Sequence, residues 1–596
     1  MEKIVSGIWT PEESVSLTSL VIEESAEITA PEGKYITLTV DGTTHTIAPG
    51  TYTGDVKLTV CDNFTRSTLR FGEETISNFH AAVIVDDGKI VKESSVAAAL
   101  KEGTATNQAV KDAKIDSIEW DFNGILVTGD SDYEISNTEI HMVGDGTDDF
   151  VGMGAAIAAT GNANLTINNT KVHTEGIGRG TLYVGGQAEV TMNDCDFSTV
   201  SHVPTPEELE AGRKLERMMS PPWSIGLRGN GRTLNLAGDG HLTLNRCHVT
   251  SNSWGVLSID GASLNRMYIN DSLIEITGTN GYGFFNIADN IMFDYDSIDE
   301  PGCITIADHS TFNVPYTAAL MSLGNGYAEF KNGSVVNSGR FGVFCHRHNG
   351  GELKINSGAE FHTDSSCIMV KGSNLNITLD DAVLEPKNGT ILQLMDNDDV
   401  GMCDDPFLIP VGDVDVRDQR DLTEAIADED IFVTVSNMTA NGNFLNSTTD
   451  LIACNRRLPK ENPGPAMPVP PGAEKLRGFM GDVLMGAKNL DIKIQNATVN
   501  GIISAATAAY KDGLTQITSE NCEELSNITQ TPAAPINNGV IVSLDENSTW
   551  NVTGTSYLTK LTVAEGAQVT GASMTVDDIA TEILPGTYTG MIVLAV

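Results

Sequence analysis

Short alternating apolar strands in this chain close on an asparagine or aspartate that returns at a nearly fixed interval. The closing residues are Asn168 in LTIN, Asn193 in VTMN, Asn245 in LTLN, Asn270 in MYIN, Asp308 in TIAD, Asn332 in EFKN, Asn356 in LKIN and Asp380 in ITLD. Asn168 to Asn193 and Asn245 to Asn270 are steps of 25 residues, and Asp308, Asn332, Asn356 and Asp380 follow one another at 24. A unit this short cannot bury its own apolar face, so each must lie on the one before, at a spacing of ~4.8 Å between stacked strands. At 596 residues the chain is several times an ordinary domain, and the interval makes it one repeated unit rather than a string of domains.

The fold class that follows is all-β: a right-handed parallel β-helix solenoid of roughly ten or more coils, with lid insertions and capping modules at both ends. The β-helix is placed over 116–560. The ends resemble each other, because TIAPGTYTGDVKLTV and EILPGTYTGMIVLAV share PGTYTG at 49–54 and 585–590. A solenoid's open ends are exposed sheet edges that need cover. Residues 1–80 and 561–596 are therefore read as β-rich capping or contact modules through which a homo-oligomer could form. The segment VAAALKEGTATNQAVKDAK (96–114) predicts a helical cap within 81–115.

The Asn column has a physical cause. At a strand-ending corner the backbone enters conformations that Asn and Asp tolerate, and stacked amides can bond from coil to coil. Cys195 and Cys247 hold one equivalent position and are expected to stack inward. A second strand follows each Asn by nine to fifteen residues (WSIGLRG, WGVLSID, YGFFNIAD, FGVFCHR, SCIMVKG, TILQLMD), and its apolar positions fill the tube.

Charge narrows the partners. With 36 basic against 80 acidic side chains, the formal net charge of -44 repels nucleic acid and anionic membrane surfaces. Nine cysteines without CxxC spacing argue against a disulfide framework. The start, MEKIVSGIWTPEE, has no apolar leader core, and no stretch reaches the ~20 apolar residues of a membrane span. A cytoplasmic location is expected; a secreted one would require a removed leader.

Interruptions of the repeat point to a working face. Asn193 to Asn245 is 52 residues, one coil plus an insertion at 203–222 that opens on Thr205-Pro206-Glu207-Glu208, a helix-start pattern. Two more insertions, at 397–430 and 455–485, leave from the far side of the same strand. Together they would roof a groove.

Counting fifteen residues from the markers reaches Tyr183, Asp260, Arg347, Lys371 and Met395. Arg347 and Lys371 would then project from adjacent coils, and like charges directly opposed in a sheet are destabilising, which implies something anionic between them or a neutralised lysine. Cys345, His346 and His348 share the Arg347 coil, Asp396 lies one coil beyond Lys371, and Arg456 and Arg457 come near the same phase one coil further on. These groups suit proton transfer beside a carbonyl or carboxylate: Lys371 as base, Arg347 holding an oxyanion, His346 or His348 as acid, with Asp396. Trp223, Trp254, Tyr282 and Phe341 would form flat platforms for a sugar, with Arg228 and Asp260 completing substrate contacts. A competing reading gives His346, His348 and Cys345 a divalent metal ion. His141 and His173 also occupy equivalent positions in consecutive coils.

In its coil period, its corner Asn ladder and its loops flanking one sheet, the chain resembles the right-handed parallel β-helix superfamily that includes pectate lyases and polygalacturonases. The resemblance covers roughly 116–560 and is specific for fold rather than reaction. It implies a substrate groove along a parallel sheet with Lys, Arg, Asp or His catalysts from adjacent coils. The paired-Asp motifs of polygalacturonases are missing, and no pectate lyase signature matches. The expected function is acid/base chemistry, as a lyase, hydrolase or isomerase, on an oligosaccharide or polyhydroxylated small molecule. A non-enzymatic adhesin-like solenoid and a metal-dependent redox or hydroxyl-transfer enzyme are the alternatives.

Overall fold

In the computed structural model the described residues are 1–70, 73–203, 205, 225–227, 229–260, 264–287, 302–322, 325–346, 349–396, 398, 421–427, 429–448, 488–514 and 521–596. They fall into two compact units. The first comprises 1–221 and 229–281, the second 222–228 and 282–596.

Both units are parallel β-helices. In the first, one coil runs Leu182–Val184, Glu189–Asn193 and Asp196–Val200, and the next runs Arg232–Leu236, His241–Asn245 and His248–Ser251. Each strand pairs in parallel with its counterpart one coil on. The second unit repeats the plan with Phe341–His346, Asn349–Asn356 and Glu360–Thr363, followed by Ile368–Lys371, Asn374–Asp380 and Val383–Pro386. Each coil thus has three strands. The third, directly after the Asn corner, is one that the spacing argument did not separate from its neighbour.

The corner ladder is present. Asn193 Nδ2 donates to Asn168 Oδ1 at 2.9 Å, Asn245 Nδ2 to Asn193 Oδ1 at 2.9 Å, and Asn270 Nδ2 to Asn245 Oδ1 at 3.0 Å. The left-handed residue is the one that follows, with φ of 46° at Asn169, 55° at Asp194, 54° at Arg246 and 49° at Asp271. Asn332, with φ 52°, belongs to this second column, because Asp308 pairs in register with Lys331. Inside the second unit the tube is filled by rings: Phe330 packs on Phe284, Phe312 and Phe361 at centroid distances of 5.7, 5.4 and 5.1 Å. Cys195 and Cys247 are buried, and none of the seven described cysteines forms a disulfide.

The terminal modules are antiparallel and built alike. Gly50–Asp62 pairs with Val15–Ile22 and Lys34–Val40, and Gly586–Ala595 pairs with Ser556–Val563 and Ser573–Val576. Each long strand carries a bulge at the last glycine of PGTYTG, where φ is 130° at Gly54 and 127° at Gly590. A Cβ at either would meet the carboxylate of Asp41 or Asp577 at 2.7 Å, which is why glycine stands there.

The helical cap expected within 81–115 is not formed. Leu100–Ala105 and Ala109–Ser117 are antiparallel strands, and the only helical turn of the segment is Ala97–Ala99. Alanine's helix propensity is outweighed by alternate burial in Ala109–Ser117, whose other edge pairs with the first coils. Of the expected insertions, 206–222 and 455–485 lie outside the described residues. Within 397–430, Asp398, 421–427 and 429–430 are described; Asn489 Nδ2 donates to the carbonyls of Asp421 and Glu424 at 2.8 and 2.9 Å.

Candidate functional site

The first strands of the second unit's coils carry two kinds of residue. One parity, including Val343, Cys345, Ile368 and Val370, continues the column of interior Phe284 and Ala319. The other parity, Phe344, His346, Met369, Lys371, Gln393 and Met395, points to the opposite side of the sheet. That side is covered by residues 510–514 and 521–532. Ile528–Pro532 pairs antiparallel with Ile503–Tyr510, and Tyr510, Leu525 and Ile528 cluster with Met395. Arg340 fastens the cover by donating to the carbonyls of Glu523 and Leu525, and Gln393 Nε2 donates to Ser526 O at 2.9 Å. No feature of the sequence singled out this roof.

Under it lies a buried polar cluster. Lys371 Nζ stands 2.8 Å from Asp398 Oδ1, with both side chains at 0% exposure. Asp398 also accepts from Tyr510 Oη at 3.0 Å, Ser526 N at 2.7 Å and Ser526 Oγ at 3.3 Å. Hydrogen bonds from these donors offset part of the cost of burying the pair. Lys371 Nζ also sits 5.4 Å from the Phe344 ring centroid, a cation–π contact. His346 is the register partner of Lys371, one coil away, and is buried, as is Asp396.

Register thus corrects the pairing expected from spacing. The residue opposite Lys371 is His346, not Arg347, because the count from Asn332 began one position late. A slip of one residue exchanges the two faces of a strand. Arg347 and His348 lie outside the described residues, as do Trp223, Arg228, Arg456 and Arg457.

Tyr282 and Phe341 are fully buried: Tyr282 packs edge-on to Phe285, and Phe341 on Tyr316. In the first unit Trp254 is buried at φ 60° just before Gly255–Ile259. None of these three rings offers a free face to a sugar, so the platform role fails for them. Asp260, also in the first unit, is buried against Arg232, whose Nε is 2.9 Å from Asp260 Oδ2 and whose Nη1 is 2.6 Å from Asp149 Oδ2. It is engaged in an internal ion pair rather than facing a groove.

The metal set of Cys345, His346 and His348 does not close around one ion. Cys345 and His346 are successive strand residues and face opposite sides, with Cys345 Sγ 3.8 Å from Met321 Sδ in the interior. Burial also raises the Cys345 thiol well above its ordinary pKa, which disfavours the thiolate a metal needs.

A second feature of this unit opens to solvent. A trough of about 700 Å³ lies on the third-strand face, lined by Asn337, His362, Asp364, Glu385, Lys387 and Asn441. His362 bridges two carboxylates, Nδ1 to Glu385 at 2.9 Å and Nε2 to Glu360 at 3.3 Å.

No protein-family model, no curated protein and no solved structure matches the chain. The likeness to parallel β-helix proteins is one of fold.

Proposed function

We propose that the protein is an enzyme performing acid/base chemistry on a carbohydrate-like or polyhydroxylated small molecule, with Lys371, His346, Asp396 and Asp398 as its chemical centre. One observation carries this reading: Lys371 and Asp398 are paired with no exposed surface, His346 is the register partner of Lys371, and Asp396, one residue past Met395, is buried as well. Desolvated ionisable groups are costly, and clusters of them mark sites where protons are moved. In this reading His346 exchanges the substrate proton, and the Lys371 ammonium, fixed by Asp398, faces the developing oxyanion. Substrate reaches the cluster by displacing the cover over residues 521–532.

The test is turnover of a panel of neutral oligosaccharides, sugar acids and polyols by the full chain and by His346→Gln. The reading expects at least one substrate and a loss of roughly 100-fold or more in kcat for the variant, with an unchanged thermal midpoint. No turnover across the panel, or equal turnover by the variant, overturns it.

The open trough favours a second reading, a non-catalytic solenoid that binds glycans along its outer face. Asn337 and Asn441 offer amides, and His362, Asp364, Glu385 and Lys387 further polar groups, to sugar hydroxyls. Glycan-array binding lost in His362→Ala but kept in His346→Gln would select this reading.

A further inference from the structure

The first unit carries a second cluster of ionisable groups, on its outer surface and apart from the Lys371 centre. In the third-strand column Asp116, His141, His173 and Ser198 are successive register partners, so their side chains leave the same face at coil spacing. The two imidazoles lie 5.4 Å apart at 30°. Glu175, two residues beyond His173 on that strand, shares the face.

Both histidines aim the same nitrogen at the same oxygen. His173 Nε2 is 3.1 Å from Glu175 Oε1, and His141 Nε2 is 3.7 Å from it. Each opposite nitrogen meets a partner of its own. His173 Nδ1 is 2.7 Å from Ser198 Oγ, and His141 Nδ1 is 3.9 Å from Asp116 Oδ1, with Lys101 Nζ on the other oxygen of Asp116 at 2.6 Å. The Ser198 bond at Nδ1 fixes the His173 ring and leaves Nε2 as the ligating atom, the arrangement that orients histidine at metal centres, while the Asp116 carboxylate lies near His141 Nδ1 without a hydrogen bond. Among the described residues this is the one group where three histidine, cysteine or carboxylate ligand atoms fall within 4.8 Å of one another.

We propose that His141, His173 and Glu175 bind a divalent transition-metal cation of the zinc class. Around such an ion, bound at about 2.0–2.1 Å, tetrahedral ligand atoms stand about 3.3 Å apart. The separations of 3.1 and 3.7 Å already bracket that value, so small side-chain rotations complete the site. Two imidazoles with one carboxylate suit borderline ions such as Zn²⁺, Ni²⁺ and Cu²⁺; Ca²⁺ and Mg²⁺ prefer oxygen ligands. With side chains 39 to 48% exposed, the fourth position is open to water or a ligand. His248 in the same unit shows the contrast: it pairs with Asp196 at 3.8 Å and Glu275 at 2.8 Å without a second imidazole.

The test is calorimetric titration of the full chain, stripped by chelation and desalted, with ZnCl₂ near neutral pH. One saturable site in the micromolar range or tighter is expected. His141→Ala and His173→Ala should each weaken it by about 100-fold or more, Glu175→Gln by about 10-fold, and His241→Ala should leave it intact. Because these side chains are half exposed, the metal-free thermal midpoint should not change. His173→Gln, which can retain a bond to Ser198, provides a second variant should His173→Ala misfold. Cu²⁺ loaded in place of zinc should show splitting from two nitrogens by electron paramagnetic resonance, reduced to one in either single histidine variant. Absence of saturable binding below millimolar zinc overturns the proposal, as does binding unchanged by both histidine substitutions.

Discussion

Lys371 Nζ lies 2.8 Å from Asp398 Oδ1, and neither side chain exposes any surface. A buried ion pair stripped of one partner leaves an uncompensated charge, which costs about 3–5 kcal/mol. Asp398→Ala should therefore destabilise the second unit by that amount, because the ammonium loses the carboxylate it is buried against. Lys371→Met should cost less, since Tyr510 and Ser526 still donate to the carboxylate. Combining Lys371→Met with Asp398→Ala should recover part of the loss, because no charge is then left unpaired. Denaturant titration of the single and double variants measures the coupling; additive losses would mean that the pair contributes nothing as a pair.

Arg340 holds the cover through the carbonyls of Glu523 and Leu525 while stacking 4.9 Å from both the Tyr316 and Phe341 rings. Arg340→Ala removes both fastenings and the packing of its stem. Amides of 521–532 should exchange hydrogen at least about 10-fold faster in that variant, with coil amides such as those of Asn374–Asp380 unchanged. Mass spectrometry of exchange resolves the two segments. Uniform acceleration would show that the cover does not open on its own.

The Asn ladder gives a graded expectation. Asn193 donates to Asn168 and accepts from Asn245, so Asn193→Ala breaks two amide bonds in a partly buried column. A loss of about 1–3 kcal/mol is expected, and Asn270→Ala, which removes one bond within that ladder, should cost about half as much. Thermal midpoints of the two variants decide the matter. Equal losses would mean that the corner backbone, not the ladder, governs stability there.

How far the sequence exposed the site follows from the same columns. Asn168, Asn193, Asn245 and Asn270 are true register partners, so periodicity alone located their coils. Asn332 looks identical in sequence yet occupies the left-handed position after the ladder, where Asn is favoured for a different reason. That coincidence shifted the count by one and put Arg347 where His346 stands. Lys371 and His346 are still within reach, because strand spacing carries them. Asp398, Tyr510 and Ser526 are not, since they arrive from chain segments 27, 139 and 155 residues beyond Lys371: only the fold brings Asp398 to Lys371, and Tyr510 and Ser526 to Asp398.

The PGTYTG repeat predicts equal behaviour at the two ends. Tyr52 Oη donates to Ala48 O at 2.9 Å and Thr46 O at 3.3 Å, and Tyr588 Oη to Leu584 O at 2.9 Å and Glu582 O at 3.1 Å. Tyr52→Phe and Tyr588→Phe each delete one such hydroxyl and should each cost about 0.5–1.5 kcal/mol. Local hydrogen exchange in Gly50–Asp62 and Gly586–Ala595 reads the two effects separately. A loss at one end alone would show that the repeated sequence does not carry a repeated structural role.

Two groups in the first unit set opposite limits on its pH range. Burial raises Glu119 to about 8 against the opposing charge of Arg179, and seals its Oε2 from solvent. Burial lowers His80, stacked 3.8 Å from the Tyr35 ring, to about 4. Between about 4.5 and 8 the folded state binds more protons at Glu119 than the unfolded state, so this group's effect on stability worsens as pH rises and levels off above 8. Between about 6.5 and 4 the unfolded state binds more protons at His80, so stability falls as pH drops through that window. Glu119→Gln should therefore match the wild type near pH 4.5 and exceed it by up to a few kcal/mol above pH 8. His80→Phe, which keeps a ring against Tyr35, should gain relative to the wild type only on the acid side. Thermal midpoints across this range decide both, and a gain that did not vary with pH would mean that neither group titrates as its burial requires.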